Sequence, residues 1–297
     1  MKSQKLYEAD DKLIVLIRDN YNVLQSLGSF GINLGFGDKT VNEVCEAQGV
    51  DTYTFLAIVN LVINGYKAFD DFSRLSIPTI MHYLHASHEY YLDFQLPFIR
   101  KELVEALDEK DNLARLILKL YDEYAEEIKK HMKYEEKFLF PYVESLLDKQ
   151  PLPNYDIDTF SKHHGQTDQK LRELKNIIIK YLPSDGLRNN QLSATLCDIY
   201  NNEEWLAKHS DVEEEIMIPA IRTLEKKLKQ NDVSAKISSM MVQGMTNKEI
   251  ANHLCIAPNT VITHRRNIAR KLQIHTPAGL TIYAIVTNLV DIPSVEI

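Results

Sequence analysis

The sequence is poor in glycine, proline and cysteine. Ten Gly and ten Pro among 297 residues favour helices over a turn-rich β protein. No long stretch alternates apolar and polar residues with a period of two. The three cysteines, Cys45, Cys197 and Cys255, are too widely spaced to suggest a disulfide framework or a cysteine zinc site. We therefore expect an all-α protein in a reducing compartment, the cytoplasm.

The sequence also lacks an apolar run that could cross a bilayer. The longest such run, residues 56–63, is short and is interrupted by Asn60. The first residues are too charged for a signal peptide. The net charge of -8 is uneven, because six Lys/Arg and three Asp/Glu from Val233 onward give that end +3 and leave -11 for the rest. We expect no membrane partner and a C-terminal module that contacts nucleic acid.

One pattern occurs twice. Residues 131–141 and 209–219 both begin with His, carry Glu four places later, and end with a hydrophobic triplet and Pro. On a helix, residues i and i+4 share a face, so His131 and Glu135, like His209 and Glu213, can point to a common place. A single pair of this kind is most often a solvated surface pair. Its recurrence with the same ending favours a metal site between two helices.

The central part of the chain predicts four long helices, at residues 77–107, 112–148, 156–182 and 190–228. The breaks between them are short, so the helices should pack antiparallel as an up-down-up-down bundle. Each carries histidine on its predicted inner stripe. These are His82, His85 and His88 on the first helix, His131 on the second, His163 and His164 on the third, and His209 on the fourth.

This combination resembles a hemerythrin-type (HHE) bundle, and more closely the di-iron domain of the repair-of-iron-centres (YtfE/ScdA-like) family. The predicted domain covers residues 76–228. The resemblance implies terminal histidine ligands and bridging glutamates, namely His85, His131, His164 and His209 with Glu135 and Glu213. His88 and Glu127 are expected beside the ligands and not among them. His163 stays open as a neighbour of the ligands, a fifth imidazole ligand or a residue without a role.

The chemistry of this ligand set fits the resemblance. Imidazole suits iron, zinc and copper, and carboxylates can bridge two ions. Four nitrogens and two carboxylates leave each metal ion short of six ligands, so a small molecule such as O2 or NO could bind. The expected cofactor is iron, two ions per chain with oxo and carboxylate bridges. Zinc and manganese stay open at this point.

Residues 1–75 predict a small helical domain that resembles the short N-terminal domain of the same family. That family has a cysteine pair in a glycine-rich turn, whereas this chain has Gly35-Phe36-Gly37 there. The thiol chemistry of that turn therefore cannot be transferred to this chain. Cys45 falls on the helix after the turn, and we interpret it as a packing residue.

The C-terminal residues 229–297 predict a helix-turn-helix. Thr246 and Glu249 form a capping box, residues 255–257 make a tight turn, and Pro258 opens a helix that runs to Leu272. A final helix is expected at residues 277–290. The module resembles the LuxR/GerE-type DNA-binding domain, through residues 244–251 and the pattern from Thr260 to Leu272.

The resemblance and the docking geometry of such motifs predict the contacts with double-stranded DNA. Residues at the start of the recognition helix should approach base edges, and basic residues should meet phosphates. The base-edge candidates are Asn259, Thr260, Thr263 and His264, and the phosphate candidates are Lys248, Arg265, Arg266, Arg270 and Lys271. A homodimer on two half-sites is expected.

Three functions compete at this point. The first is a DNA-binding transcription regulator, and not an enzyme, whose di-iron sensor responds to NO, O2 or redox state. The second is an iron–sulfur cluster repair or NO-handling protein with an accessory DNA-binding module. The missing cysteine pair and the attached DNA module count against it. The third has a structural metal or none, and its DNA binding is controlled by protein partners.

Overall fold

The computed structural model describes residues 6–65, 69–108, 111–150, 155–161, 168–182 and 186–273. Regular structure in these ranges is helical, apart from an isolated antiparallel bridge between Lys12 and Thr40. The chain divides into two compact units, residues 1–223 and 224–297. The all-α prediction is confirmed. No helix in the described ranges is both long and apolar enough to cross a membrane.

The N-terminal helices are short and begin at the expected signals. They are α1 (Leu13–Asp19), α2 (Val23–Ser29), α3 (Val41–Gln48) and α4 (Thr52–Asn64). Thr40 and Glu43 form a capping box at the start of α3, and the Asp51 side chain accepts a hydrogen bond from Thr54 N–H at 2.8 Å. Cys45 is buried, as expected for a packing residue, and burial raises the pKa of its thiol to about 12.

Where the structure describes them, the bundle helices lie close to the predicted positions, but three of them contain a wide π-helical turn. The remaining helices of the first unit are α5 (Ile77–Glu89), α6 (Leu96–Ala106), α7 (Asn112–Tyr134), α8 (Phe140–Leu147), α9 (Ile157–Ser161), α10 (Asp168–Tyr181) and α11 (Gly186–Val212). Helix α12 (Ile218–Val242) contains the division between the units. The π turns are Tyr90–Gln95, Glu135–Leu139 and Glu213–Met217.

Each π turn is followed by a proline at the second position of the next helix: Pro97, Pro141 and Pro219. Proline lacks an N–H, and its ring clashes with the carbonyl four residues earlier. The helix widens by one residue before it, so that Phe140 N–H bonds to the Glu135 carbonyl and Ile218 N–H to that of Glu213. Such turns are frequent at functional sites, and here two of them begin at the glutamates of the repeated motif.

The N-terminal helices belong to the same compact unit as the bundle. The Phe30 ring packs against Tyr83 of α5 at 4.8 Å and against Phe55 of α4 at 4.9 Å between centroids. Ser87 Oγ, also on α5, lies 3.1 Å from Ser29 Oγ. The bundle core itself runs along α6, α7, α10 and α11 and includes Tyr121 and Ile199. The first bundle helix therefore packs against the N-terminal helices through α5 and joins the bundle core through α6.

The second unit contains α13 (Asn247–His253) and α14 (Pro258–Leu272). Its core consists of Ile237, Ile250, Ala251, Val261 and Ile268. The expected capping box of Thr246 and Glu249 is present, and Gly244 has the φ of +81° that lets it end a helix. The fourth bundle helix was expected to end at residue 228, but α12 continues to Val242, because residues 228–242 contain no Gly or Pro. The predicted helix at 277–290 lies outside the described residues.

Candidate metal centre and nucleic-acid interface

Four buried side chains from three segments of the bundle converge. His88 comes from α5, Glu135 from the π turn after α7, His209 from the end of α11, and Glu213 from the π turn that follows it. One nitrogen or carboxylate oxygen from each lies within 4.8 Å of the others. Two imidazoles and two carboxylates thus share one enclosed place, as a site for a cation requires.

In both copies of the repeated motif, the His and the Glu four residues later lie close together, as their spacing predicts. Nε2 of His209 lies 3.2 Å from Oε1 of Glu213, and Nε2 of His131 lies 2.9 Å from Oε1 of Glu135. The other oxygen of Glu135 lies 3.0 Å from Nε2 of His88. The two oxygens of Glu135 therefore face two different imidazoles. His131 itself is 29% exposed and lies outside the four-residue group.

On the first bundle helix, the structure brings His88 to the cluster and leaves His85 outside it. The His85 side chain is 49% exposed, and its Nδ1 lies 2.9 Å from Oε1 of Glu136. The resemblance had implied the opposite roles for these two histidines. Residues three apart on a helix differ by about 60° around its axis. The rotation of α5 decides which ring faces inward, and the packing of α5 against its neighbours sets that rotation.

Glu136 was not identified from the sequence, although it contacts both histidines of α5. Its Oε1 lies 2.7 Å from Nδ1 of His88, the nitrogen opposite the cluster. Burial alone would lower the pKa of His88, but hydrogen bonds with Glu135 and Glu136 raise it to about 9. Burial would likewise raise the pKa of Glu136, but hydrogen bonds from His88 and His85 lower it. A carboxylate behind a histidine ligand fixes its tautomer and orientation. The sequence carries a signal for this residue, because in each motif copy a second Glu, Glu136 or Glu214, directly follows the first.

The donor set fits a metal ion. Neither ring nitrogen of His209 forms a hydrogen bond within the described part of the chain, and the His209 ring is 5% exposed. Its centroid lies 5.1 Å from that of His88 and 6.1 Å from that of Tyr91. Two buried carboxylates are costly without a compensating cation. Mixed imidazole and carboxylate ligands suit iron, zinc and manganese.

The remaining residues expected near the site have other places. Glu127 pairs with Lys170, with 2.5 Å between Oε1 and Nζ, and the structure does not bring it to the four-residue cluster. His163 and His164 lie outside the described residues. A third-helix ligand therefore stays a prediction.

Most of the expected DNA contacts lie on the exposed surface of the second unit. The exposed ones are Lys248, Asn259, Thr260, Thr263, Arg266 and Arg270. Helix α14 begins at Pro258, so Asn259 and Thr260 occupy its first turn. The Lys271 side chain lies outside the described atoms.

Two residues expected at the DNA face instead contact their own unit. His264 is half-buried, and its Nδ1 lies 2.8 Å from Oγ of Ser234. Arg265 is half-buried, and its guanidinium donates to Oδ1 of Asn247. Both bonds hold α14 against a neighbouring helix. Fewer side chains of α14 are therefore exposed for contact with DNA than the sequence suggested.

Comparisons with known proteins find a family match for two segments of the chain. Residues 79–221 match the family model of the hemerythrin HHE cation binding domain. Residues 235–284 match the model of bacterial regulatory proteins of the luxR family. The chain therefore combines a hemerythrin HHE domain with a LuxR/GerE-type domain. The matches identify the hemerythrin class and do not distinguish the repair-of-iron-centres family within it.

Two curated relatives are similar to a short part of the chain. The transcriptional regulatory protein MctR of Rhizobium johnstonii is 46% identical over 55 residues, which is 18% of this chain and 26% of that protein. The uncharacterized response regulatory protein YgeK of Escherichia coli K12 is 48% identical over 42 residues, 14% of this chain and 29% of that protein. The aligned part is thus under a third of either relative. No solved structure matches the chain significantly.

Proposed function

We propose that this protein is a DNA-binding transcription regulator, and not an enzyme, whose activity is controlled by a metal centre in its hemerythrin-type bundle. The observation that carries the proposal is the buried cluster of His88, Glu135, His209 and Glu213 in the same chain as a LuxR-family domain. The names of the two similar proteins, a transcriptional regulatory protein and a response regulatory protein, support the regulatory role.

The proposed ligands are His88, Glu135, His209 and Glu213, with His131 on the open side. Glu135 would hold the metal together with His88 and His131, since its two oxygens lie 3.0 and 2.9 Å from their imidazoles. From the resemblance, Glu135 and Glu213 would both serve as bridging carboxylates. From the resemblance alone, we assign His164 to the third helix.

Iron is the proposed metal, at two ions per chain, and the hemerythrin match supports it. A non-haem iron centre with an open coordination position would supply a binding place for O2 or NO. The chain contributes the enclosure, since His88, Glu135, His209 and Glu213 are all buried. It also fixes the ring of His88 through Glu136, 2.7 Å from the outer nitrogen. The partly exposed ring of His131 leaves one side of the site near solvent.

The proposed output is binding to double-stranded DNA in the cytoplasm, by a homodimer that reads two half-sites. The exposed start of α14 presents Asn259, Thr260 and Thr263 toward a major groove, while Arg266 and Arg270 contact phosphates. His264 and Arg265 hold the recognition helix in place through Ser234 and Asn247. We therefore assign them a positioning role.

The test begins with full-length protein purified without oxygen. Its metal content and ultraviolet-visible spectrum are recorded before and after addition of air or NO, and DNA binding is measured in each state. The proposal expects about two irons per chain, a spectral change with air or NO, and a matching change in DNA affinity. Zinc alone would refute the iron sensor. DNA affinity that is equal in all states would refute control by the metal centre.

A further inference from the structure

Apart from the His-Glu cluster, the first unit has a cavity where the start of α2, the π turn Tyr90–Gln95 and helix α11 meet. Its volume is about 280 Å³, near the lower end of small-molecule pockets, roughly 300 Å³. The described side chains that line it include no lysine, arginine or histidine. Among its described lining residues the cavity therefore has one carboxylate, Asp198, and no basic side chain to neutralise it.

The wall formed by α11 is unusually polar. Asp198, Asn201, Asn202 and Trp205 all line the cavity, and their spacing of three, four and seven residues places them on one face of the helix. A helix face that packs toward another element is normally apolar. Polar groups at such positions cost free energy unless they find partners. A ligand in the cavity would provide those partners.

Asn202 is the clearest case. Its side chain is 2% exposed, and its Nδ2 lies 3.3 Å from the Tyr124 hydroxyl. Its Oδ1 makes no hydrogen bond within the described part of the chain. Buried carboxamide atoms are rarely left without a partner. One end of this carboxamide is thus held by the bundle, and the other end, buried at the cavity wall, has no partner within the described part of the chain.

The other walls are aromatic. Tyr21, Tyr90 and Trp205 line the cavity, and the Tyr90 hydroxyl is held by Oε1 of Gln95 at 2.8 Å. The Nζ of Lys208 already lies 5.0 Å from the Trp205 ring centroid, while its charge is paired with Glu204. Aromatic faces attract cations and stack on flat apolar groups. Asp198 forms no ion pair with any described residue, and partial burial raises its pKa.

We propose that this cavity binds a small organic cation, an amine with an aromatic or otherwise apolar body. The ammonium group donates to Asp198 and Asn202, and the apolar body lies between Tyr90 and Trp205. The cavity also reaches Tyr91, whose ring lies 6.1 Å from that of His209. The amine site is thus one side chain away from the cluster, but it does not depend on a metal ion there.

Trp205 makes the test direct, because it is the one tryptophan in the sequence. Protonated 2-phenylethylamine is titrated into the full-length protein at neutral pH, and the neutral isostere 2-phenylethanol is titrated in parallel. The amine should change Trp205 fluorescence in a saturable way, and the alcohol should bind at least about tenfold more weakly, since a hydrogen bond between charged groups is lost. Equal binding of the two compounds, or binding of neither, would overturn the proposal.

Two variants locate the site, and one controls for charge. Asp198→Asn should weaken amine binding roughly tenfold or more, and Asn201→Asp, at an exposed position of the same face, should strengthen it. Asp38→Asn removes the same charge at an exposed position that does not line the cavity, and should leave binding unchanged. Circular dichroism would reveal whether Asp198→Asn impairs folding. In that case the expected increase in amine affinity of Asn201→Asp tests the proposed site. Unchanged affinity in Asn201→Asp, or in a folded Asp198→Asn, would contradict the proposed site.

Discussion

The two copies of the His-Glu motif share their spacing but differ in their surroundings. In the second copy both side chains are enclosed, with His209 5% and Glu213 1% exposed. In the first copy Glu135 is buried, yet His131 is 29% exposed. The distances from His Nε2 to Glu Oε1 are similar, 3.2 and 2.9 Å. Helix geometry therefore sets the pair, while the elements packed around it set its access to solvent.

The difference suggests a division of roles within the centre. His209 lies among Tyr91 and His88, so its ring has little room to move. His131 contacts solvent on one side, where a small molecule could approach. The first bundle helix has the same His-Glu spacing only in an exposed pair, His85 and Glu89, without the hydrophobic triplet and Pro ten places after the His. It contributes His88 to the cluster through its rotation. The variants below test these roles, beginning with the largest expected effect.

Neutralising Glu135 should have the largest effect on metal binding. Glu135→Gln keeps the size of the side chain but removes the charge that faces both His88 and His131. We expect metal content to fall close to zero, and to fall further than in Glu213→Gln, whose carboxylate faces His209. Metal per chain is measured after purification under identical conditions. Full metal content in Glu135→Gln would rule out a bridging role.

The two histidines of α5 form the next comparison. His88→Ala removes a buried ring from the cluster, whereas His85→Ala removes a half-exposed ring three residues earlier. We expect His88→Ala to lose metal and His85→Ala to retain it. The readouts are metal content and, as a control for folding, the melting temperature of each variant. The reverse result would favour the ligand that the resemblance alone implied.

Glu136 should have a smaller effect, because it acts through His88. Glu136→Gln weakens the partner of the outer nitrogen, so metal affinity should fall by roughly 10- to 100-fold. Affinity is measured by competition with a chelator of known strength. Glu144→Gln is the matched control, since this exposed glutamate on α8 has no part in the cluster. An equal loss in both variants would indicate a general charge effect.

The smallest expected effects concern the recognition helix, where the same distinction between inward and outward side chains applies. Arg266 is exposed, so Arg266→Ala should lower the log–log salt slope of DNA binding by about 0.9, the contribution of one phosphate contact. His264 bonds to Ser234, so His264→Ala should leave that slope unchanged and cost about 1 kcal/mol of stability. Fluorescence anisotropy against salt, with thermal unfolding, separates the two. If His264→Ala changed the salt slope of DNA binding, His264 would contact DNA, contrary to this assignment.

Much of the fold could be predicted from the sequence, because helix signals are local. Thr246 and Glu249 form a capping box that marks the start of one helix, and Pro258 is the first residue of the next helix. The π turns were not predicted, although Pro97, Pro141 and Pro219 carry their signal. A proline after a hydrophobic triplet suggests a helix end, whereas the packed bundle continues the helix by widening one turn.

The sequence by itself determined the helical class, the two His-Glu pairs and the helix-turn-helix, since each depends on residues within a few places of one another. Only the tertiary structure decided that His88 and not His85 meets Glu135, that Glu136 supports that ring, and that His264 turns to Ser234. It also placed a polar face of α11 on a cavity. The rotation of a helix about its axis depends on everything packed against it, and no local pattern contains that information.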